Sequence, residues 1–324
     1  MKTTLKLFVI SMAVACGLLC ARQGKTEFPK LTGPYLGQKP PGDTAELFAP
    51  GIVSGGDFEH SSPVFTADLK EIYWSTIIDR NRETVARPIF HMKMVDGIWT
   101  KPEIPSFARQ FACTESPFIT PDGKRLYFHA SDSLRPEKAA IYYVERVGDG
   151  WSAPVNLGEP INGKGFSGEP TLSKNGTIYF MASVGEDGGL YYSRPADGGY
   201  QKPVYMEEKI NNREADWTPY IAPDESYFIF CSFRKGGFGS GDLYITFKQK
   251  DGSWGRIINM GERINGPLNE RFPNVTPDGK YLFFNSTRKI PGADPNGPGN
   301  GQGDMYWIDA KIIDELRQAD SRLP

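Results

Sequence analysis

The chain has few of the residues that build cysteine-dependent or histidine-dependent sites. It contains only 4 cysteines and 3 histidines in 324 residues. Cys16 and Cys20 lie close to the N-terminus, so only Cys113 and Cys231 belong to the body of the chain, and they lack the CxxC spacing of zinc or redox sites. We expect both thiols to be free, because they fall in repeats, described below, that are not neighbours.

Excess charge of one sign and the common catalytic motifs are also missing. The 37 Lys and Arg residues against 39 Asp and Glu residues give a net charge of −2. This balance argues against a dominant basic face, so we expect no nucleic-acid partner. The sequence contains no G-x-S-x-G elbow, HExxH pair or Walker loop, so no familiar catalytic motif supports an enzyme directly.

No hydrophobic run is long enough to cross a bilayer. The apolar run from Leu7 to Ala15 has nine residues, whereas a spanning helix needs about 20. It follows two lysines and ends in an A-x-A site, which is typical of an export signal. Cys16 comes next, and the order Ala-Val-Ala-Cys resembles a bacterial lipoprotein signal, in which lipidated Cys16 would anchor the protein to a membrane. The alternative is simple secretion, so we expect a periplasmic or outer-membrane lipoprotein, or otherwise a secreted protein.

Glycine, proline and aromatic residues are abundant instead. Glycine (36 residues) and proline (26 residues) make up about 19% of the chain, against roughly 12% in an average protein. Aromatic residues account for 13%. Many turns and many rings favour short strands over long helices, so the composition predicts an all-β protein.

A repeat of about fifty residues organises most of the chain. Five segments share the order proline, apolar strand, tight turn and apolar-aromatic strand, as in PFITPDGKRLYF and PNVTPDGKYLFF, and their prolines are 54, 53, 49 and 54 residues apart. The Asp-Gly and Asn-Gly pairs in the turns favour the positive φ angles of a hairpin. The segments begin at Pro63, Pro117, Pro170, Pro219 and Pro273.

Two further strands are predicted in each repeat. A third apolar run is followed by a second hairpin signal, and in four repeats an aromatic ring then opens a fourth strand. Four antiparallel strands at a period of about 40–50 residues are the signature of a β-propeller. The four rings are Trp99, Trp151, Tyr200 and Trp254.

The fifth repeat has only three strands before a helical pattern begins after residue 309. Residues 46–54 match the spacing of residues 151–158, so we predict that this N-terminal strand completes the last blade and removes an exposed edge. The predicted fold is an all-β, five-bladed β-propeller of four-stranded antiparallel blades with a short C-terminal helix. The predicted boundaries are 1–21 for the signal, 22–43 for a Pro/Gly-rich tether, 44–309 for the propeller and 310–324 for the helix.

The motifs of the repeat resemble a known family. The order Pro-Asp-Gly-Lys-x-Leu-Tyr-Phe, then Ser-x-Arg, Asp-aliphatic-Tyr and Trp-Ser-x-Pro-x-Asn-Leu-Gly, is similar to the WD40-like repeat of TolB-type propellers and of many exported bacterial proteins. Repeats two, four and five match best. The resemblance implies a propeller fold, but it says little about function because propellers include binders, scaffolds, lyases and hydrolases.

The loops that enter the innermost strands are expected to meet at one mouth of the central channel, where ligands usually bind. Each loop carries a glutamate one to five residues before its proline. A ring of these carboxylates would face a ligand, and the alternative is that each one caps its own loop by accepting backbone N–H bonds. The glutamates are Glu59 (followed by His60), Glu115, Glu169, Glu214 and Glu270.

Five other residues are candidates for the funnel, by which we mean the mouth of the central channel where these entry loops meet. Arg234 and Arg288 follow the second strands and either pair with the glutamates or present a planar guanidinium to an acidic ligand. His129 and Asn285 occupy a position that varies from repeat to repeat, which suggests an individual role. Trp217, beside an entry proline, is a candidate stacking surface for a sugar.

The long loop of residues 290–304 is a candidate for a metal, as are His60 and His129 with Glu59 and Glu115, which could alternatively form an acid/base site. The loop is rich in glycine and carries oxygen donors that would suit calcium, but their spacing is not that of an EF-hand and such a turn needs no metal. We therefore expect no cofactor, with calcium as the alternative. The donors are Asp294, Asn296, Asn300 and Asp304.

Together these features favour an exported, non-catalytic binding propeller. We expect a monomer that holds an envelope protein or an envelope carbohydrate in its central funnel. The alternative is a glycan-active enzyme, either a glycoside hydrolase with two funnel carboxylates or a polysaccharide lyase with His129 or an arginine as its base.

Overall fold

Five antiparallel sheets surround a central axis and form a β-propeller, as predicted. The computed structural model describes residues 27–78, 86–133, 138–163, 165–184, 187–212 and 216–322. We number the blades in chain order and the strands of each blade from the axis outwards. Cys16 and Glu214 lie outside the described residues.

The first two blades each contain one interrupted strand. The innermost strand of blade one and the outermost strand of blade two are both split into two short pieces. The strands of blade one are Phe58–Glu59 with Val64–Phe65, Glu71–Ile77, Ile89–Val95 and Ile98–Trp99. Those of blade two are Cys113–Ile119, Arg125–Ser131, Ala140–Val147, and Gly150–Trp151 with Val155–Asn156.

The other three blades have the same order of pairing. Blade three consists of Ser167–Leu172, Ile178–Val184, Asp187–Ser193 and Val204–Tyr205, with a small hairpin of Pro195–Ala196 and Gly199–Tyr200. Blade four consists of Asp216–Ile221, Tyr227–Ser232, Asp242–Phe247 and Ile258–Asn259. Blade five consists of Glu270–Val275, Tyr281–Ser286, Asp304–Asp309 and the N-terminal Glu46–Leu47.

The N-terminal strand closes the ring, as predicted. Glu46 and Leu47 pair antiparallel with Trp307 and Tyr306. Ser54 Oγ then accepts from the backbone N of Met305 and donates to its carbonyl oxygen. In blades two to four an asparagine makes the same pair of contacts with the third strand, so Ser54 continues a repeated clasp. These asparagines are Asn162, Asn211 and Asn265.

The tight turn between the two inner strands is stabilised in the same way in most blades. In blade two, Thr120 Oγ1 donates to Asp122 (2.6 Å), and Asp122 accepts from the backbone N of Lys124 (3.0 Å). Gly123 follows with φ of 70°, which costs a glycine little. In blade one Leu69 adopts a φ of 57° at the matching position. This left-handed conformation is unfavourable for leucine, so the rest of the turn must stabilise it.

The core lies between the blades. The aromatic residue in the middle of each second strand is at most 2% exposed, as expected for packing between blades. Cys113 and Cys231 are buried and free, also as expected. The five aromatic residues are Trp74, Phe128, Phe180, Phe230 and Phe284.

Part of the segment expected to be a tether packs against the propeller. Within residues 27–43, Tyr35 and Leu36 are each 4% exposed in a short 3₁₀ turn, Pro34–Gly37. Trp99 Nε1 donates to the carbonyl oxygen of Gly33 at 2.8 Å. This segment is attached because its aromatic and aliphatic side chains fill a groove between blades five and one.

The C-terminal helix Lys311–Ser321 lies against blades four and five. Asp309 Oδ1 accepts from the backbone N of Lys311 (2.9 Å), and Ile312 and Ile313 are buried. A second 3₁₀ turn, Ser106–Ala108, precedes blade two. Over the described ranges, no helix has the length and apolar character needed to cross a bilayer.

Candidate functional site

The five innermost strands form a narrow channel around the axis. Its cavity of about 40 Å³ is roughly the size of one water molecule. In blades two to five the residue before each channel proline has a positive φ of 51–54°, although none of the four is a glycine. The strand register shifts at this point, so a bulge turns these side chains into the channel. These residues are Ser116, Glu169, Thr218 and Phe272.

The four predicted glutamates that the structure describes do not form a ring, because they occupy different positions along their strands. Among the four that the structure describes, only Glu169 lines the channel. Glu59 and Glu270 cap their own loops instead, accepting from the backbone N of Gly55 (3.1 Å) and Gly266 (2.8 Å). These two carboxylates therefore act as loop caps, which was the alternative to a ring that faces a ligand.

Arg234 and Arg288 stabilise the framework of blades four and five. Each donates through Nε to a serine at the end of its own second strand, at 2.8 and 2.9 Å. Each also pairs with the carboxylate at the first position of the inner strand, Asp216 at 3.0 Å for Arg234 and Glu270 at 3.4 Å for Arg288. The two arginines thus hold loops in place, and neither directs its charge freely into the funnel.

A buried carboxylate-histidine network occupies the funnel between blades one and three. Glu115 is 1% exposed and lies 2.7 Å from His60 Nδ1, 3.0 Å from Arg87 Nη1 and 3.3 Å from His129 Nε2. Cys113 Sγ donates to Glu115 at 3.6 Å. Burial by itself raises the pKa of Glu115, but His60 and His129 outweigh it and hold the pKa well below its usual value.

The hydrogen bonds define different roles for the two histidines. His129 Nδ1 accepts from the backbone N of Glu169 (3.2 Å), so its proton lies on Nε2, which faces Glu115. Both of its nitrogens are therefore used. His60 is 20% exposed and donates from Nδ1 to ionised Glu115, which leaves its Nε2 as an acceptor in the funnel. Burial lowers the pKa of His60 against the pull of Glu115, so the ring is neutral at pH 7.

Glu169 is the acidic residue of the channel itself. Its Oε2 accepts from the backbone N of Thr218 in the next blade, at 2.8 Å. Burial raises the pKa of Glu169, partly opposed by His129. This carboxyl group is consequently biased towards its protonated, uncharged form, unlike Glu115 beside it.

Arg271 is the site residue that sequence reasoning missed. It is half-buried on the inner strand of blade five, and it acts electrostatically on His60, Glu169 and Cys231, which come from three other blades. Its guanidinium lies 5.8 Å from the ring centre of Phe58, and its buried Nε has no hydrogen-bond partner. No ion pair within the described ranges includes Arg271. Its signal in the sequence is weak, because the other blades have no arginine at this position.

Aromatic rings surround these charges. Trp217 is half-buried and packs edge-on against Phe233, with ring centres 5.3 Å apart. His60 lies edge-on between Phe58 and Phe272, at 5.1 and 4.9 Å. The funnel therefore combines one unpaired cation with flat apolar surfaces.

The residue that follows the strand-two aromatic differs between the blades, and so does its role. His129 joins the Glu115 network, as described. Asn285 is fully buried and donates from Nδ2 to the carbonyl oxygens of Glu59 (2.7 Å) and Asp304 (3.3 Å). Asn285 thus ties blade five to blade one, below the surface that a ligand could reach.

The donors of the 290–304 loop are engaged in contacts within the chain. Asp294 accepts from Asn296 N, and Asn300 donates to Gly56 O. Asp304 is buried and accepts from Gly299 N. In the described part of the chain, no group of three or more His, Cys, Asp or Glu residues is placed to hold a metal ion.

Comparisons with known proteins support the fold alone. No protein-family model matches the chain, and no curated protein matches it. The catalytic domain of a Coprinopsis cinerea GH62 α-L-arabinofuranosidase is 13% identical, covering 84% of this chain and 98% of that one, with a TM-score of 0.51. A putative TolB from Agrobacterium tumefaciens is 16% identical, covering 78% and 90%, with a TM-score of 0.49. At these identities the similarity to WD40-like repeat proteins stays a prediction.

Proposed function

We propose that this chain is an exported, non-catalytic binding propeller whose funnel holds an acidic envelope glycan. The observation that carries the proposal is Arg271, a half-buried cation at the funnel with no ion-pair partner among the described residues. A half-buried guanidinium whose Nε has no partner is costly, and a ligand carboxylate would supply two parallel hydrogen bonds.

The surrounding charges favour an anionic ligand. Arg87 and Glu115 neutralise each other at 3.0 Å, and the raised pKa of Glu169 reduces the negative charge beside Arg271. Among the described residues of the funnel, Arg271 is therefore the cation that no ion pair balances. An uncharged glycan would not compensate that charge, whereas a uronic acid would.

The rings favour a sugar over an acidic peptide. Trp217 offers a ring on which a pyranose could stack while its carboxylate pairs with Arg271, whose guanidinium lies over the ring of Phe58. An acidic peptide would use the cation but has no comparable need for a ring surface. This preference extends the sequence-based expectation of an envelope protein or carbohydrate.

The test is binding to an array of uronic-acid-containing and neutral polysaccharides. We expect the wild-type protein to retain the acidic polysaccharides, and Arg271→Gln to bind them about tenfold or more weakly, because it removes a charge-assisted pair. Arg288→Gln is the matched control. It should lower the melting temperature, since Arg288 clamps a loop, and leave the affinity unchanged below that temperature. Equal loss of affinity in both variants, or retention of acidic peptides alone, would contradict the proposal.

A second candidate function is cleavage of the same glycan, and the His60–Glu115 contact of 2.7 Å favours it. A buried carboxylate that orients Nδ1 leaves Nε2 of a histidine free as a general base. In a lyase, His60 would take the proton next to the uronic carboxylate, and a carbon–carbon double bond would form. The protonated form of Glu169, which burial favours by raising its pKa, would give a proton to the departing glycosidic oxygen. The ultraviolet absorbance of that double bond, lost in His60→Ala, would identify the enzyme.

The same contacts argue against the hydrolase alternative with Glu115 as nucleophile. Both oxygens of Glu115 are occupied by donors from His60, Arg87 and His129. A nucleophilic or base carboxylate needs an oxygen that reaches the substrate or a water molecule. Absence of new reducing ends from neutral polysaccharides is therefore expected.

A further inference from the structure

On the face opposite the funnel, contacts bridge or fill four of the five grooves between neighbouring blades. Between blades one and two, Trp151 Nε1 donates to Tyr73 OH at 2.8 Å. Between blades three and four, Glu225 accepts from Ser173 Oγ at 3.0 Å. The C-terminal helix packs against blades four and five, and Tyr35 fills the groove between blades five and one.

The groove between blades two and three is open. It encloses about 970 Å³, which is at the upper end of the range for ligand pockets. Across it the described contact is a long one, 3.5 Å between the hydroxyl oxygens of Tyr127 and Tyr200. Tyr143 and Leu157 in its wall are half-buried, and Val155 at its rim is 44% exposed.

This open groove corresponds in position to the groove that Tyr35 fills, except that Arg125 stands in place of Tyr281 and its guanidinium lies 4.6 Å from the ring centre of Tyr143. Tyr127 pairs with Tyr143 in blade two as Phe283 pairs with Trp307 in blade five. In the filled groove, Phe283 and Trp307 are fully buried beneath Tyr35. In the open groove the residue equivalent to Trp307 is Tyr143, and it is left half-exposed.

The polar end of the groove corresponds as well. Tyr35 OH donates to both carboxylate oxygens of Asp278, at 3.1 Å each. Asp122 occupies the same position in the turn of blade two and makes the same hydrogen bond with its threonine, so an acceptor for a phenol is already in place. The filled groove therefore shows which kind of segment fits such a groove, namely a tight turn that presents a tyrosine followed by a leucine.

We propose that the groove between blades two and three is a docking site for a partner protein, which inserts a tyrosine-aliphatic pair in a tight turn. The partner's ring would pack against Tyr200 and against the Arg125 guanidinium that covers Tyr143, and its hydroxyl would donate to Asp122. Lys124 and Lys174 are exposed at the rim, so acidic residues beside the pair would strengthen the contact. This inference does not depend on the function proposed for the funnel, which opens on the other face.

The test uses a fluorescein-labelled peptide that copies residues 31–39 of this chain, LTGPYLGQK, as the probe. We expect fluorescence anisotropy to report a dissociation constant on the order of 100 μM, because a short flexible peptide must be ordered on binding. Replacement of the peptide tyrosine by alanine should abolish binding. Val155→Asp in the protein should weaken binding at least about tenfold by placing a charge at the apolar rim.

Val204→Asp is the matched control for the groove. Val204 lies at the same position in the outer strand of blade three and is 45% exposed, but it does not line the groove. It should leave the affinity unchanged, and both variants should keep the wild-type melting temperature because both side chains are exposed. Tyr200→Ser is a second groove variant that should also weaken binding. Equal affinities of the two aspartate variants, or no binding by the wild type up to about 1 mM peptide, would overturn the proposal.

Discussion

At the scale of single residues, equivalent aspartates in blades four and five differ in how many hydrogen bonds their oxygen atoms accept. Asp242 in blade four accepts from Phe238 N (2.6 Å), Gly239 N (3.0 Å) and Asn259 Nδ2 (2.7 Å). Within the described part of the chain, Asp304 in blade five accepts only from Gly299 N, and its buried Oδ1 has no partner. The difference arises because the closing N-terminal strand has a leucine where blade four has Asn259. Burial therefore raises the pKa of Asp304 to about 6.

We predict that Asp304→Asn stabilises the protein at alkaline pH. The folded state favours the protonated form of Asp304, so its stabilising contribution is full below the unfolded pKa near 4 and is lost as the pH rises through about 6. Asparagine keeps an acceptor for Gly299 N without the buried charge. Urea unfolding should show a gain of about 1–2 kcal/mol near pH 8 that disappears near pH 4.

Asp242→Asn is the control for this prediction. It removes charge from an aspartate whose oxygens are already satisfied, so it should destabilise the protein by about 1–3 kcal/mol near pH 8. If both variants lose stability equally, Asp304 has a partner that compensates its charge, and the interpretation is wrong.

At the scale of elements, the closing strand is short but strongly attached. Glu46–Leu47 contributes only two residues to the ladder. Phe48, directly after it, is fully buried against Phe283 and Trp307. Ser54 Oγ forms hydrogen bonds with both the backbone N and the carbonyl oxygen of Met305. Closure therefore depends more on side-chain burial and the serine clasp than on the number of strand hydrogen bonds.

We predict that removal of this strand abolishes cooperative unfolding. A chain that begins at residue 55 leaves the third strand of blade five as an exposed edge, which favours aggregation. A chain that begins at residue 44 is the control, since it lacks Tyr35 and Leu36 but keeps the strand. Calorimetry should show a single transition at a lower temperature for the control, because each buried side chain lost reduces the free energy of unfolding by roughly 1.5–3 kcal/mol. The shorter chain should show a broad transition or none. Identical melting of the two would show that the strand does not close the ring.

At the scale of the whole molecule, the two candidate binding surfaces face opposite ways. The funnel lies at one end of the channel, and the open groove lies with the tight turns at the other end. Residue 27, where the description begins, is 11 residues from Cys16, a distance of at most about 40 Å for an extended chain. A lipid on Cys16 would therefore keep residue 27 within about 40 Å of the membrane surface.

We predict that Cys16→Ala transfers the protein from the membrane fraction to the soluble fraction of cells that express the full chain. An acyl chain contributes about 0.8 kcal/mol per buried CH₂, and two or more chains give a stable anchor. Cys20→Ala is the control and should stay with the membrane. Unchanged fractionation of Cys16→Ala would indicate simple secretion.

The repeat in the sequence was sufficient to predict the architecture. Five prolines at regular intervals, the turn residues and the strand-two aromatics predicted the five blades, and residues 46–54 predicted the closing strand. These features could be found because every blade needs the same packing and the same turn, so one physical requirement appears in the sequence five times.

The arrangement of the funnel and of the open groove was decided only by the tertiary structure. A glutamate before each proline suggested a ring, but a shift of one position along a strand turns a side chain to the other face, and a shift of two moves it roughly 6.5 Å along the strand. Glu59 and Glu270 therefore cap loops, and Glu169 lines the channel. Arg271 has no counterpart in the other blades, and its neighbours His60 and Glu169 are distant in sequence. A site assembled once, from side chains of different blades, leaves no periodic signal, because its contacts exist only after the ring has closed.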